Sequence, residues 1–337
     1  MNKSRFTITL LSLLIMASMV LAACGGAAEE PAATTQPEEP AMPEVGFDVM
    51  PGGALEEAIK GTYRGTTVTV DGAFEGNDPD GVKMDQSVAK FEELTGINVN
   101  YIGNKEFEAT ISVRVDAGDA PDIADFPQPG KAAQYVADGK VIDVTTFMTE
   151  AWLSKQYNQS WRDMATINGV EAGVFHRFNG KSLVWYPKKA WDAAGYQIPE
   201  TWDELMALNQ QIADDGDTPW CIGIESGAAT GWAATDWTEE MMLRTTSLEN
   251  YDAWVAGDLA FDSPEVKKAI ETWSELWFND AYVFGGRSSI VSTYFGDSPA
   301  PMFEDPPQCW MHKQGNFITG FFPEGKVAGV DYGFFYL

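Results

Sequence analysis

From residue 61 onward, apolar positions switch between a period of two and a period near 3.6, which predicts strands separated by helices. Thr66-Thr67-Val68-Thr69-Val70 alternates as a strand does and halts at Asp71-Gly72. Val88, Phe91 and Leu94 then recur at helical spacing, with Gly96 as the stop. Ile97, Val99 and Tyr101 alternate as a second strand, Phe107, Ile111 and Val115 mark the next helix, and residues 120–126 read as a third strand. This order implies right-handed crossovers and a parallel sheet covered on both faces. In such sheets ligands bind beyond the carboxyl ends of the strands. Those ends carry Asp71-Gly72-Ala73-Phe74-Glu75, Asn104-Lys105-Glu106 and Asp125-Phe126-Pro127-Gln128. Each mixes an aromatic or an amide with charge, and each also suits a plain solvated loop.

The second half repeats the alternation. Residues 174–179 lead through Gly180-Lys181 into the apolar strand 182–186. Thr201-Trp202-Asp203-Glu204 is a capping box ahead of Leu205, Leu208 and Ile212. Ser263-Pro264 opens a helix whose Val266, Ile270, Trp273 and Trp277 form a regular apolar stripe, read as core. Between these helices lies residues 219–237, the richest stretch for chemistry. An apolar run ends at Glu225, small residues follow, and Trp232, Asp236 and Trp237 open a helix. Gly227 and Gly231 leave room near the backbone, the carboxylates accept hydrogen bonds, and the indoles offer flat apolar faces. Polyhydroxylated rings need that mixture. Core packing competes as the reading of each tryptophan taken singly.

Composition narrows the function. A length of 337 residues favours two domains. A net charge of -28 repels phosphate backbones, so nucleic acid is not an expected partner. Lys3 and Arg5 precede an apolar run at 6–20, and Leu21-Ala22-Ala23-Cys24-Gly25-Gly26 ends it as a lipoprotein signal does. Residues 1–23 are thus expected to be removed and Cys24 lipidated. A Pro- and Glu-rich tether is expected over 24–60, and membrane contact through the lipid anchor alone. Cys221 and Cys309 are the other cysteines, and on an exported chain the pair reads as a disulfide.

Other motifs lead away from catalysis. Asn77-Asp78-Pro79-Asp80-Gly81 resembles a calcium loop, but Ser87 stands where a bidentate Glu is required. Gly180-Lys181-Ser182 precedes a strand, and Phe175 replaces the first glycine of a P-loop. His176 and His312 lack partners at motif spacing. No catalytic residue, metal or cofactor is expected. The chain ends at Leu337 within a strand-like run, which reads as a sequence lacking its final segment.

Taken together, the lipobox, Lys105-Glu106-Phe107-Glu108, Ala117-Gly118-Asp119-Ala120-Pro121-Asp122-Ile123, residues 181–186 and the Gly223-to-Trp237 stretch resemble bacterial extracellular solute-binding protein family 1. These are the maltose-binding-protein-like sugar receptors of ABC importers. Residues 223–232 with Met302-Phe303-Glu304-Asp305-Pro306-Pro307 are similar to its alpha-glucoside-binding subset. The resemblance implies an α/β, two-lobed, periplasmic-binding-protein-like type II fold. Its parallel-sheet lobes would lie at 61–176 and 177–337, joined by a hinge. It places Phe74, Glu106, Phe126 and Gln128 on one rim and Asn179, Glu225, Trp232, Asp236, Trp237 and Trp310 opposite, with further aromatic contacts from beyond Leu337. It implies an extracytoplasmic, non-enzymatic receptor with an alpha-glucoside ligand and permease partners in the membrane. Two other readings stand beside it: a polyamine receptor on the same fold, since acids and aromatics also cage cations, and a glycoside hydrolase using Glu225 and Asp236.

Overall fold

A computed structural model describes residues 45–336. The leader, Cys24 and the first part of the expected tether lie outside the described residues. The rest of that expected tether is partly folded. Ala54–Ile59 is a helix with Ala58 and Ile59 buried, because Leu55, Ala58 and Ile59 fall on one face.

The first sheet follows the expected pattern. β1 (Thr67–Gly72) lies between β2 (Asn98–Gly103) and β3 (Ile123–Asp125), both parallel to it, with Val70 opposite Tyr101 and Ile123. Helix Pro79–Thr95 makes the first crossover and stops at Gly96, whose φ of 65° is the left-handed cap. Helix Phe107–Asp116 makes the second, and its Phe107 and Ile111 bury against Tyr135. A short antiparallel hairpin, β4 (Thr166–Ile167) and β5 (Val170–Glu171), ends this half. The buried Arg162 guanidinium holds it by forking onto both Glu171 oxygens at 3.0 and 2.8 Å.

The second half is built differently. Its three-stranded sheet has the order β7-β6-β8, with β6 (Leu183–Tyr186) antiparallel to both β7 (His312–Gln314) and β8 (Gly333–Tyr336). Parallel pairing survives here as single bridges from Trp220 to Val283 and Met311, and from Glu225 to Tyr294. The partners of β6 return from far along the chain instead of through one crossover helix. The capping box forms, with a shift: Thr201 accepts from the Glu204 N–H at 3.2 Å, but Glu204 accepts from the Glu200 N–H rather than that of Thr201. The expected stripe on helix Pro264–Trp277 is core, as Val266, Trp273 and Trp277 are all buried. A disulfide joins Cys221 to Cys309, tying the run at 219–225 to the segment before β7.

Trp237 enters this core from helix Trp232–Thr245. It is 3% exposed, with its ring centroid 5.4 Å from Trp220 and 6.0 Å from Trp277. Beside it lies a buried ion pair, Lys313 Nζ to Glu240 at 2.8 Å, with Lys313 also 4.7 Å from the centre of the Trp237 ring. The adjacent His312 donates its Nδ1–H to the Cys221 carbonyl at 2.8 Å, which fixes the tautomer and leaves Nε2 buried without a partner. Burial pulls this imidazole down from 6.5 to about 4.

Two expectations follow. Trp237→Ala should lose about 3–5 kcal/mol of unfolding free energy in denaturant titration; a loss under about 1 kcal/mol would mean the ring is not packed. For His312 the unfolded chain takes a proton near pH 6.5 that the folded one refuses until about pH 4. Its contribution is therefore present above pH 6.5 and lost as the pH falls, by about 2 kcal/mol at pH 5. His312→Gln should flatten the acid slope of stability by that amount between pH 7 and 5, and an unchanged slope would contradict the burial. His176 titrates with the opposite sign, because the Asp125 carboxylate raises it.

Candidate functional site

The expected site residues separate into groups that the fold explains. Helix Trp232–Thr245 starts at Gly231 and carries Trp232 and Asp236 one turn apart. Trp232 is half-buried, its ring centroid 5.2 Å from Phe295 and 5.8 Å from Phe317. Lys181, from the residues leading into β6, places Nζ 2.8 and 3.0 Å from the two Asp236 oxygens and 5.1 Å from the Trp232 ring centre. The result is a corner with an indole wall and a neutralised ion pair. Asn179 is half-buried two residues earlier, next to Gly180, whose N–H donates to the Asn316 side chain at 2.7 Å. That bond and the Asn316 N–H to the Gly180 carbonyl hold this segment against the turn that carries Phe317.

Glu225 precedes the corner. Its Oε1 accepts from the Gly227 N–H at 2.8 Å, so it shapes the loop it ends. Thr230 completes that loop, accepting from the Ser226 N–H and donating to the Gly227 carbonyl. Across from it, Glu106 Oε1 accepts the Ala228 N–H at 3.2 Å. These two carboxylates from opposite halves therefore meet on one loop.

Phe74 sits elsewhere on the first half. Tyr101 stacks on it with nearly parallel planes and ring centroids 6.1 Å apart, and the Arg177 guanidinium stands 5.0 Å from its ring centre. Arg177 is held by Asp80 at 3.0 Å, and the neighbouring His176 by Asp125 at 2.8 Å. The acidic turn at 77–81 thus serves as an anchor for Arg177 and as the entry to helix Pro79–Thr95.

Four of the expected contacts lie apart from these groups. Trp237 and Trp310, 3% and 6% exposed, are core side chains; Trp310 packs edge-on against Tyr196 at 4.8 Å and follows directly on the buried Cys309. Neither indole offers a face to a guest. Phe126, half-buried, packs against the buried Phe107 and Tyr135 with ring centroids 5.5 and 5.7 Å away. Gln128 is exposed ahead of helix Pro129–Ala137 and joins none of these groups. A cavity lined by Trp237, Trp277, His312 and Lys313 has about 10 Å³, the scale of one water and far below a sugar ring.

Sequence reasoning missed Lys181, Phe295 and Phe317. Lys181 was weighed as part of a phosphate motif and of the family resemblance but not as a site residue, and its pairing with Asp236 spans 55 residues. Nothing local in the chain announces Phe295 or Phe317 as the wall behind Trp232.

Comparison with known proteins gives the family and the fold. The pattern of the bacterial extracellular solute-binding protein family matches residues 75–290. The chain is 45% identical over 256 residues to the osmoprotective compounds-binding protein GgtB of Synechocystis sp., covering 76% of this chain and 60% of that protein. It is 42% identical over 293 residues to the alpha-glucosides-binding periplasmic protein AglE of Rhizobium meliloti, covering 84% and 63%. It thus spans about three fifths of the length of either relative. Among solved structures, a chitin oligosaccharide binding protein superposes with a TM-score of 0.62 at 18% identity, covering 81% of this chain and 67% of that one. RafE from Streptococcus pneumoniae gives 0.54 at 18% identity, covering 81% and 67%. Those likenesses show the fold, a two-lobed type II binding-protein architecture. The chain belongs to the bacterial extracellular solute-binding protein family.

Proposed function

We propose that this chain is the substrate-binding subunit of an ABC importer, capturing an alpha-glucoside or related oligosaccharide between two lobes that meet near His176 and Arg177, and delivering it to a membrane permease. The observation that carries the reading is the corner formed by Trp232, Asp236 and Lys181, in a chain 42% identical to a protein named for binding alpha-glucosides. An indole face suits the C–H surface of a pyranose, and the paired carboxylate and ammonium can exchange hydrogen bonds with its hydroxyls while remaining neutral together. Asn179 and Glu225 are the nearest further polar groups in the proposed site. We also propose that Cys24 is lipidated, so that the receptor stays at the outer face of the membrane.

The other readings fit less well. A polyamine would meet the Lys181 ammonium already seated on Asp236 and Trp232, which repels a cationic guest from the best part of the corner. A glycoside hydrolase needs two available carboxyl groups across a gap. Here Lys181 takes both Asp236 oxygens, and Glu225 holds the Gly227 N–H.

Calorimetry against maltose, trehalose, sucrose and spermidine tests the reading. At least one glucoside should bind, with an affinity that hardly changes between low and high salt. Trp232→Ala should weaken it by about tenfold or more while costing less stability than Trp237→Ala. Binding of spermidine alone, or full glucoside affinity in Trp232→Ala, would contradict the assignment. For the anchor, Cys24→Ala should release the protein from the membrane fraction into the soluble one; retention there would rule out lipidation as the tether.

A further inference from the structure

Residues Lys105 and Glu106 belong to the first half, in the turn between β2 and helix Phe107–Asp116, yet both reach the second half. Glu106 Oε1 accepts the Ala228 N–H at 3.2 Å. The fit depends on Gly227, whose φ is +55° and where a Cβ would lie 2.7 Å from the same oxygen. Glu106 is itself held from behind, as its own N–H donates to the Asn104 side chain at 2.8 Å. Lys105 places Nζ 4.4 Å from the centre of the Tyr294 ring and 3.4 Å from Glu75. The Glu75 carboxylate also accepts the Lys105 N–H at 3.3 Å, so the lysine is clamped by its own half. Tyr294 pairs through its backbone with Glu225, the residue that shapes the 225–230 loop, and its ring stands over Lys105. Glu106 thus holds that loop directly, and Lys105 rests on the ring of Tyr294, whose backbone bridges to Glu225 at the start of the loop.

We propose that Lys105 and Glu106 form a latch that joins the two halves before any ligand arrives, and that Glu106 is a positioning residue for the Gly227–Ala229 turn rather than a sugar contact. The chemistry favours this division. A carboxylate accepting a backbone N–H makes a charge-assisted bond, and an ammonium over a phenol ring adds a contact that tolerates sliding. Neither contact requires a guest. A closed form held in this way is more populated without ligand, and a sugar that binds it gains apparent affinity in proportion to that population.

The test reads the latch directly in the ligand-free chain and so does not depend on the sugar-receptor reading. Hydrogen exchange followed over peptides spanning 226–231 should accelerate about tenfold or more in Glu106→Ala. Glu106→Gln should largely restore protection, because its amide oxygen can still accept from Ala228. Lys105→Ala should accelerate exchange in the same peptides and expand the particle seen by small-angle scattering. Unchanged exchange in Glu106→Ala, or no recovery in Glu106→Gln, would overturn the latch whatever the chain binds. A second arm rests on the proposed function. Glu106→Ala should weaken every glucoside that binds by one common factor, as a shift in closure does, whereas loss confined to one sugar would return Glu106 to the list of ligand contacts. If no glucoside binds the unmodified chain, the receptor reading fails and the exchange result still decides the latch.

Discussion

The insertion of Trp237 into the core of the second half is the constraint from which the site follows. Its ring is wedged between Trp220 and Trp277, so the rotation of helix Trp232–Thr245 about its axis is set. An α-helix turns about 100° per residue, which places Asp236 about 40° from Trp232 and Trp237 about 140° from it. With Trp237 inward, Trp232 and Asp236 must lie together on the flank that Lys181 approaches. The lower part of the helix repeats the arrangement, since Ala233, Trp237 and Met241 are buried in series. One packing decision thus separates the structural indole from the one that remains available.

Charge placement reinforces that division. On the inner side, Lys313 and Glu240 form a pair with almost no exposure, beneath the Trp237 ring. Burying such a pair costs desolvation that its attraction only partly offsets, so it is better understood as fixing the register of β7 against the helix than as a source of stability. On the outer flank, Lys181 and Asp236 form the equivalent pair, with the lysine 44% exposed and able to exchange partners with a guest or with water. Both lysines belong to the same antiparallel sheet: Lys313 sits opposite Val184 in the middle of the β6 and β7 register, and Lys181 lies two residues before Leu183, in the lead into β6. The sheet therefore delivers one cation to the core and another to the rim.

Much of the first half could be read from the chain because its signals are local. The alternation at 66–70, the stop at Gly96 and the strand at Ile97, Val99 and Tyr101 each involve neighbours in sequence, and the parallel sheet realises them. The second half was harder for the converse reason. β6 was evident as an apolar run, but its partners arrive from residues 312–314 and 333–336, and no local pattern announces an antiparallel register over such distances. The site shows the same contrast. Trp232 and Trp237 looked alike within a cluster of aromatics, although the series at 233, 237 and 241 carried the distinction. Trp310 was grouped with them by the family resemblance, while the fold buries it against Tyr196 beside the disulfide.

The account rests on one helix presenting two tryptophans to two environments. Fluorine NMR of the chain labelled with 5-fluorotryptophan measures this directly, with Trp232→Phe and Trp237→Phe used to assign the two resonances. Titration with a bound glucoside should move the Trp232 signal and leave the Trp237 signal in place, and a soluble paramagnetic reagent should broaden only the former. Movement of the Trp237 signal with Trp232 unaffected would contradict it.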